Sequence, residues 1–189
     1  MQHPGYHCAP VAPFGDPSAK LLIVGLAPGT HGANASGRPF TGDHAGILLY
    51  RGLHRFGFAS APVARARDDG LSLHNCRITN AVKCLPPQNR PTGGEVRSCN
   101  GYLSAELASL PPGSLVLALG AVAHGAVIRG LGRPQRDHRF AHAAEHRIAH
   151  LTLLDCYHCS RYNTQTGRLT EEMFMAVLGR ACTLLGAVQ

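Results

Sequence analysis

The sequence predicts an α/β fold: a four-stranded parallel sheet with helices on both faces. Continuous aliphatic runs of strand length alternate with segments of helical periodicity along the chain. Each run is followed by a helix, which is the crossover that parallel strands require. Three unusually polar loops leave strand ends, where ligands bind in sheets of this kind.

The first strand is read at "KLLIVGLA" (20–27) from its unbroken aliphatic character. "AGILLYRGLHRFGF" (45–58) follows as a helix, with Ile47, Leu48, Leu49, Tyr50 and Leu53 as its apolar set and Gly57 as its stop. "CRITNAV" (76–82) is the second strand, and "GEVRSCNGYLSAELASL" (94–110) is an amphipathic helix ended by Pro-Pro-Gly. "SLVLALG" (114–120) is the third strand, with a short helix in "AVAHGAVIRGL" after it. "HLTLLDCYH" (150–158) is the fourth. "TEEMFMAVLGRACTLLG" (170–186) closes the chain as a helix, with Thr170 as N-cap and Glu171 and Glu172 in the first turn, where the helix dipole favours acids.

A length of 189 residues fits one domain (1–189) that buries its own core, with residues 1–13 as an irregular N-terminal segment. No apolar run approaches the length of a membrane helix, and the N-terminus has no apolar signal region, so no membrane partner is expected. Seven cysteines, an odd number, argue for free thiols in a reducing, cytoplasmic setting. The net charge of +7 fits a polyanionic partner, although a merely basic protein would look the same. Its positive residues are scattered, so the fold must assemble any basic surface.

The first polar loop, "GLAPGTHGANASGRPFTGD" (25–43), holds five glycines and two prolines and ends in a single carboxylate. It is neither a Walker A loop nor a dinucleotide fingerprint, so it does not imply a nucleotide cofactor. Phe40 is its one aromatic, either a plug on the core or a platform for a planar ligand. Asp43 stands before "HAGILLY" and is either a helix N-cap or a catalytic carboxylate. In "NAVKCLPPQNRPTGG" (80–94), Asn80 ends a strand with an amide that can donate and accept together. In "YHCSRYNTQTGRLT" (157–170), His158 ends the fourth strand and opens a basic, polar loop suited to a nucleic-acid backbone or simply to solvent. Cys159 is adjacent to His158, and neighbouring strand residues point to opposite faces, which argues against a Cys–His nucleophile pair.

Taken together, these three loops resemble the three motif regions of the uracil-DNA glycosylase superfamily, and among its branches family 5, the group b type. The similarity runs from about Phe14 to Leu178. It implies a three-layer α/β/α sandwich and hydrolysis of the N-glycosidic bond of uracil, and of other deaminated bases, in DNA. By the resemblance, Asp43 is the catalytic aspartate and His158 the histidine that steadies the departing base. Phe40 stacks on the base, Asn80 reads its edge, and Leu26, Ala27 and Gly29 line the pocket with their backbone. Ser160 and Arg161 stand where phosphate contacts are expected. Tyr162, Gln165 and Arg168 belong to the DNA-probing loop, where Tyr162, Gln165 or Leu169 is the wedge. The implied partner is DNA containing uracil or an abasic site, met by a monomer.

The chain departs from the family pattern twice. Family 5 enzymes carry a four-cysteine iron–sulfur cluster. Cys84 and Cys99 match two of its ligands, but the N-terminal Cys-x-x-Cys segment is not in this sequence. Cys8 and Cys76 are the available stand-ins, so the expectation is no cofactor, with a 4Fe-4S cluster as the alternative. "HCS" also replaces the family's His-Pro-Ser, losing the stiff proline beside His158. The competing function is a lesion- or abasic-site-binding protein that uses the same pocket with little turnover.

Overall fold

The structure is a computed structural model that describes residues 3–186. Its elements are β1 (Phe14–Gly15), β2 (Leu21–Gly25), α1 (Ala33–Ser36), α2 (His44–Arg55), β3 (Cys76–Asn80), α3 (Gly93–Ala108), β4 (Leu115–Leu119), α4 (Ala121–Gly130), β5 (Glu145–Ile148), β6 (Leu151–Cys156), α5 (Arg161–Gln165) and α6 (Glu171–Leu185). The sheet runs in the order β1-β3-β2-β4-β6-β5. Its four central strands are parallel and are the four read from the sequence.

Alternation along these strands divides the core into two layers. Leu21, Ile23, Ile78, Leu115 and Leu117 face α2 and α6, packing with Leu49, Leu53, Phe174 and Leu178. Leu22, Val24, Val116 and Ala118 face α3 and α4, packing with Leu103, Leu107, Val127 and Ile128. Both faces of each central strand are buried, which explains the unbroken aliphatic runs. The result is the expected three-layer α/β/α sandwich.

The sheet has six strands rather than four. β1 and β5 are antiparallel edges, paired with β3 and β6. Two residues of β1 carry no periodicity, and β5 reads Glu-His-Arg-Ile, too polar to separate from a loop in sequence. Residues 3–13 carry no helix or strand, as expected, and residues 1 and 2 lie outside the described residues. The stretch 161–169, expected as a loop, begins with the one-turn helix α5, capped by Ser160 accepting the Asn163 N–H. Ile47, counted in the apolar stripe of α2, is 56% exposed.

Two ion pairs, each with a buried cation, brace the site end of the sheet. The Arg38 guanidinium, 3% exposed, grips Asp69 at 2.8 and 2.7 Å. Asp69 also accepts the N–H groups of Arg65, Ala66 and Leu71, so one carboxylate ties a long connection to the first polar loop. That bonding holds its carboxyl well below the usual range. Lys83 bonds Glu106 on α3 at 2.6 Å and also bonds Thr79, anchoring the end of β3 beside Asn80. Removing the Asp69 charge leaves that of the buried Arg38 unpaired, so Asp69→Asn should lower the unfolding free energy by about 3 kcal/mol, read from urea denaturation.

Candidate active site

The carboxyl ends of β2, β3 and β6 open onto one cleft of about 400 Å³. It is lined by Leu26, Ala27 and Gly29 after β2, by Phe40 and Asp43 further along the same loop, by Asn80 at the end of β3, and by His158, Ser160 and Arg161 after β6. Nine of the expected site residues thus meet in a single cavity of ligand size. Tyr162, Gln165 and Arg168 do not line it. All three are exposed on or beside α5, and Arg168 lies over the Tyr157 ring at 4.8 Å. Leu169, one wedge candidate, is 1% exposed within the core and is excluded from that role.

Asp43 occupies the N-cap position of α2, yet its side chain makes no capping bond. One carboxylate oxygen instead accepts the Ala33 N–H at 3.1 Å. The group therefore turns across the loop, away from its own helix. Burial raises its pKa, partly offset by that N–H. A carboxylate of raised basicity, half-buried in a cleft, suits proton transfer better than capping.

The glycines of this loop also make room for side chains. A Cβ on Gly32 would overlap the Asp43 carboxylate, and one on Gly29 would meet its Oδ1. A Cβ on Gly25, the register partner of Asn80, would strike both Asn80 Oδ1 and the Phe40 ring. The missing side chains are the space in which three functional side chains sit.

Phe40 resolves as both plug and platform. It is 6% exposed and packs in the core, while its ring also lines the cleft. Its ring centroid lies 6.2 Å from that of His158, with 29° between the planes. Its φ of +57° is unusual for a bulky residue, and such backbone is held where function requires it.

Burial lowers the His158 pKa to about 4, so the ring is neutral at physiological pH and offers one N–H. Its backbone carbonyl accepts from the Asn163 side chain at 2.8 Å, which fixes the turn without the family's proline. Cys159 points away into the core, fully buried, with its thiol pushed up to about 12. It is no nucleophile.

Sequence reasoning missed four lining residues: Pro28, His44, Ala45 and Asn89. Asn89 accepts from both the N–H and the hydroxyl of Thr30 at 3.0 Å, joining the first and second loops. His44 meets Thr164 at 3.1 Å, joining the first loop to the third. No local pattern marks these residues, because their partners lie 59 and 120 positions away.

A half-buried carboxylate, a neutral imidazole, an amide and an aromatic face, gathered at the end of a parallel sheet, offer the groups and the room for a flat polar ring. The Uracil DNA glycosylase superfamily model matches residues 12–181. A Type-5 uracil-DNA glycosylase of Thermus thermophilus is 46% identical over 182 residues, covering 96% of this chain and 83% of that protein. One from Pyrobaculum aerophilum is 41% identical, covering 97% and 80% respectively. A Type-4 uracil-DNA glycosylase of the latter organism is 37% identical over 120 residues. The chain belongs to the uracil-DNA glycosylase superfamily, as the three loops led one to expect.

Of the four cysteines weighed as cluster ligands, Cys76 is wholly buried in β3, its pKa raised by burial, while Cys8 and Cys84 are exposed and Cys99 is half-buried.

Gly32→Ala tests the packing argument. The methyl group should displace Asp43 and reduce kcat by about 100-fold, the lower end for a lost proton-transfer group, while far-UV circular dichroism stays unchanged.

Proposed function

We infer that this chain excises uracil from DNA, hydrolysing the N-glycosidic bond and leaving an abasic site. The observation that carries the reading is the meeting of Phe40, Asp43, Asn80 and His158, delivered by three strand ends, in one cleft. The name shared by its relatives supports the same activity.

A base stacked in a duplex hides its glycosidic bond, so the nucleotide must swing out before the site can act. The cleft then receives the uracil. Phe40 lies against its face, and the Asn80 amide bonds its edge, donating to a carbonyl and accepting from N3–H. As the bond from C1′ to N1 breaks, its electron pair leaves with the base, and negative charge spreads to the ring oxygens. The neutral His158 N–H donates to that charge. Donors set in place before the reaction are worth a few kcal/mol each.

The sugar left behind carries positive charge at C1′, which the Asp43 carboxylate faces. Water adds to C1′ and gives its proton to Asp43, whose burial-raised basicity favours the transfer. The uracil anion takes a proton from solvent. Ser160 and Arg161, beside the cleft, are placed for the flanking phosphates. Tyr162, 70% exposed at the start of α5, is the best-presented side chain to fill the gap left in the stack. We propose that the chain acts on DNA as a monomer, since the nine expected cleft residues are all its own, and size-exclusion chromatography with light scattering should give one chain's mass. The free thiols support a reducing, cytoplasmic setting.

We propose further that the residues of this chain hold no iron–sulfur cluster, on the placement of Cys8, Cys76, Cys84 and Cys99. Anaerobic purification with iron and acid-labile sulfide assays tests this. Less than one iron per chain is expected, and about four would reverse the proposal.

The activity is tested with a labelled oligonucleotide containing one uracil, followed by alkali to cleave abasic sites. The wild-type chain should yield the cleaved strand. Asp43→Ala should slow single-turnover excision by about 100- to 1,000-fold while still binding the oligonucleotide. Binding by the wild-type chain without strand cleavage would instead make it a lesion-binding protein.

A further inference from the structure

A second convergence of ligand-bearing side chains lies outside the cleft. His124 on α4, His146 on the edge strand β5 and Asp155 on β6 place one ligand atom each within 4.8 Å of one another. His124 Nδ1 is 2.8 Å from Asp155 Oδ1, and His146 Nε2 is 3.1 Å from Asp155 Oδ2. Asp155 is fully buried and His124 nearly so, while His146 keeps 13% exposure toward solvent. Among the described residues, the ionic partners of Asp155 are these two imidazoles, with no lysine or arginine.

The second nitrogen of His124 decides the chemistry. Nε2 lies 2.9 Å from the His138 backbone carbonyl, which only accepts, so Nε2 carries a hydrogen. In the neutral ring Nδ1 is then a lone pair, and it faces a carboxylate oxygen. Two acceptors at this distance need a cation between them. A proton fills that role in the hydrogen-bonded arrangement seen here.

A metal ion meets the same need, and the remaining features suit one. Two imidazoles and a carboxylate form a donor set that zinc favours. An imidazole that ligates a metal commonly donates its other N–H to a carbonyl, as His124 does. Two neutral rings and one carboxylate offset half of a divalent charge. The nitrogen–oxygen distances would widen by a few tenths of an ångström around an ion, and His146, on an edge strand with one free side, can supply that movement.

We propose that His124, His146 and Asp155 form a binding site for one zinc-class divalent cation, which takes the place of the bridging proton. The ion would clasp α4, β5 and β6 together three residues before His158, as a structural fastening apart from uracil excision.

The test uses the full chain, stripped by chelator and titrated with Zn²⁺ or Co²⁺. One ion per chain is expected, with a Tm rise of about 5–10 °C at zinc a hundredfold above Kd. His146→Gln should weaken binding by about 100-fold, and His142→Gln, a neighbouring imidazole outside the trio, should leave it unchanged. The seven free cysteines are the competing ligands, and cobalt separates them. Nitrogen and oxygen ligation gives no thiolate charge-transfer absorption, so the wild-type spectrum decides even if His146→Gln fails to fold. Intense thiolate bands, binding unaffected by His146→Gln, or no zinc bound at high micromolar concentrations would each overturn the proposal.

Discussion

Everything at the site depends on one steric fact: the Asp43 carboxylate lies against a stretch of main chain that carries no side chains. Gly32 and Gly29 leave the room, and Ala33 supplies the N–H that receives one carboxylate oxygen. Without that cradle, Asp43 at the start of α2 would be free to cap its own helix, the commoner use of such a residue. Gly25 does the same for Asn80 and Phe40 at the junction of β2 and β3. The catalytic arrangement is therefore a packing solution, as much a part of the folded interior as the aliphatic layers beneath it.

Electrostatics follow from that packing. Burial moves both titratable groups of the site toward their uncharged forms, the aspartate upward and the histidine downward. The neutral histidine keeps one N–H to donate into the cleft. Aspartate, with its basicity raised, is matched to taking a proton from water. A single environment tunes both groups, and the pairs Arg38–Asp69 and Lys83–Glu106 anchor the segments beside it.

Much of this is legible in the sequence. The four central strands are buried on both faces, so their composition alone marks them, and the polar loops that follow point to the sheet's carboxyl end. Asp43, Asn80 and His158 each stand at a strand end or a helix start, which leaves a bland role as open as a functional one, and it is the resemblance of the three loops taken together that singles them out. β1 and β5 are not legible, because edge strands half exposed to water need no apolar signature. The purpose of Gly25 and Gly32 also escapes a linear reading, since what they make room for lies across the fold. The cross-links from Asn89 and His44 fail for the same reason: a hydrogen bond between distant residues leaves no local trace.

Those cross-links have a consequence for the cleft as a whole. Asn89 to Thr30 and His44 to Thr164 stitch all three loops together, and Asn163 to His158 braces the third. A change in any one loop is therefore felt in the other two, so the walls of the cleft behave as one mechanical unit rather than three separate arms.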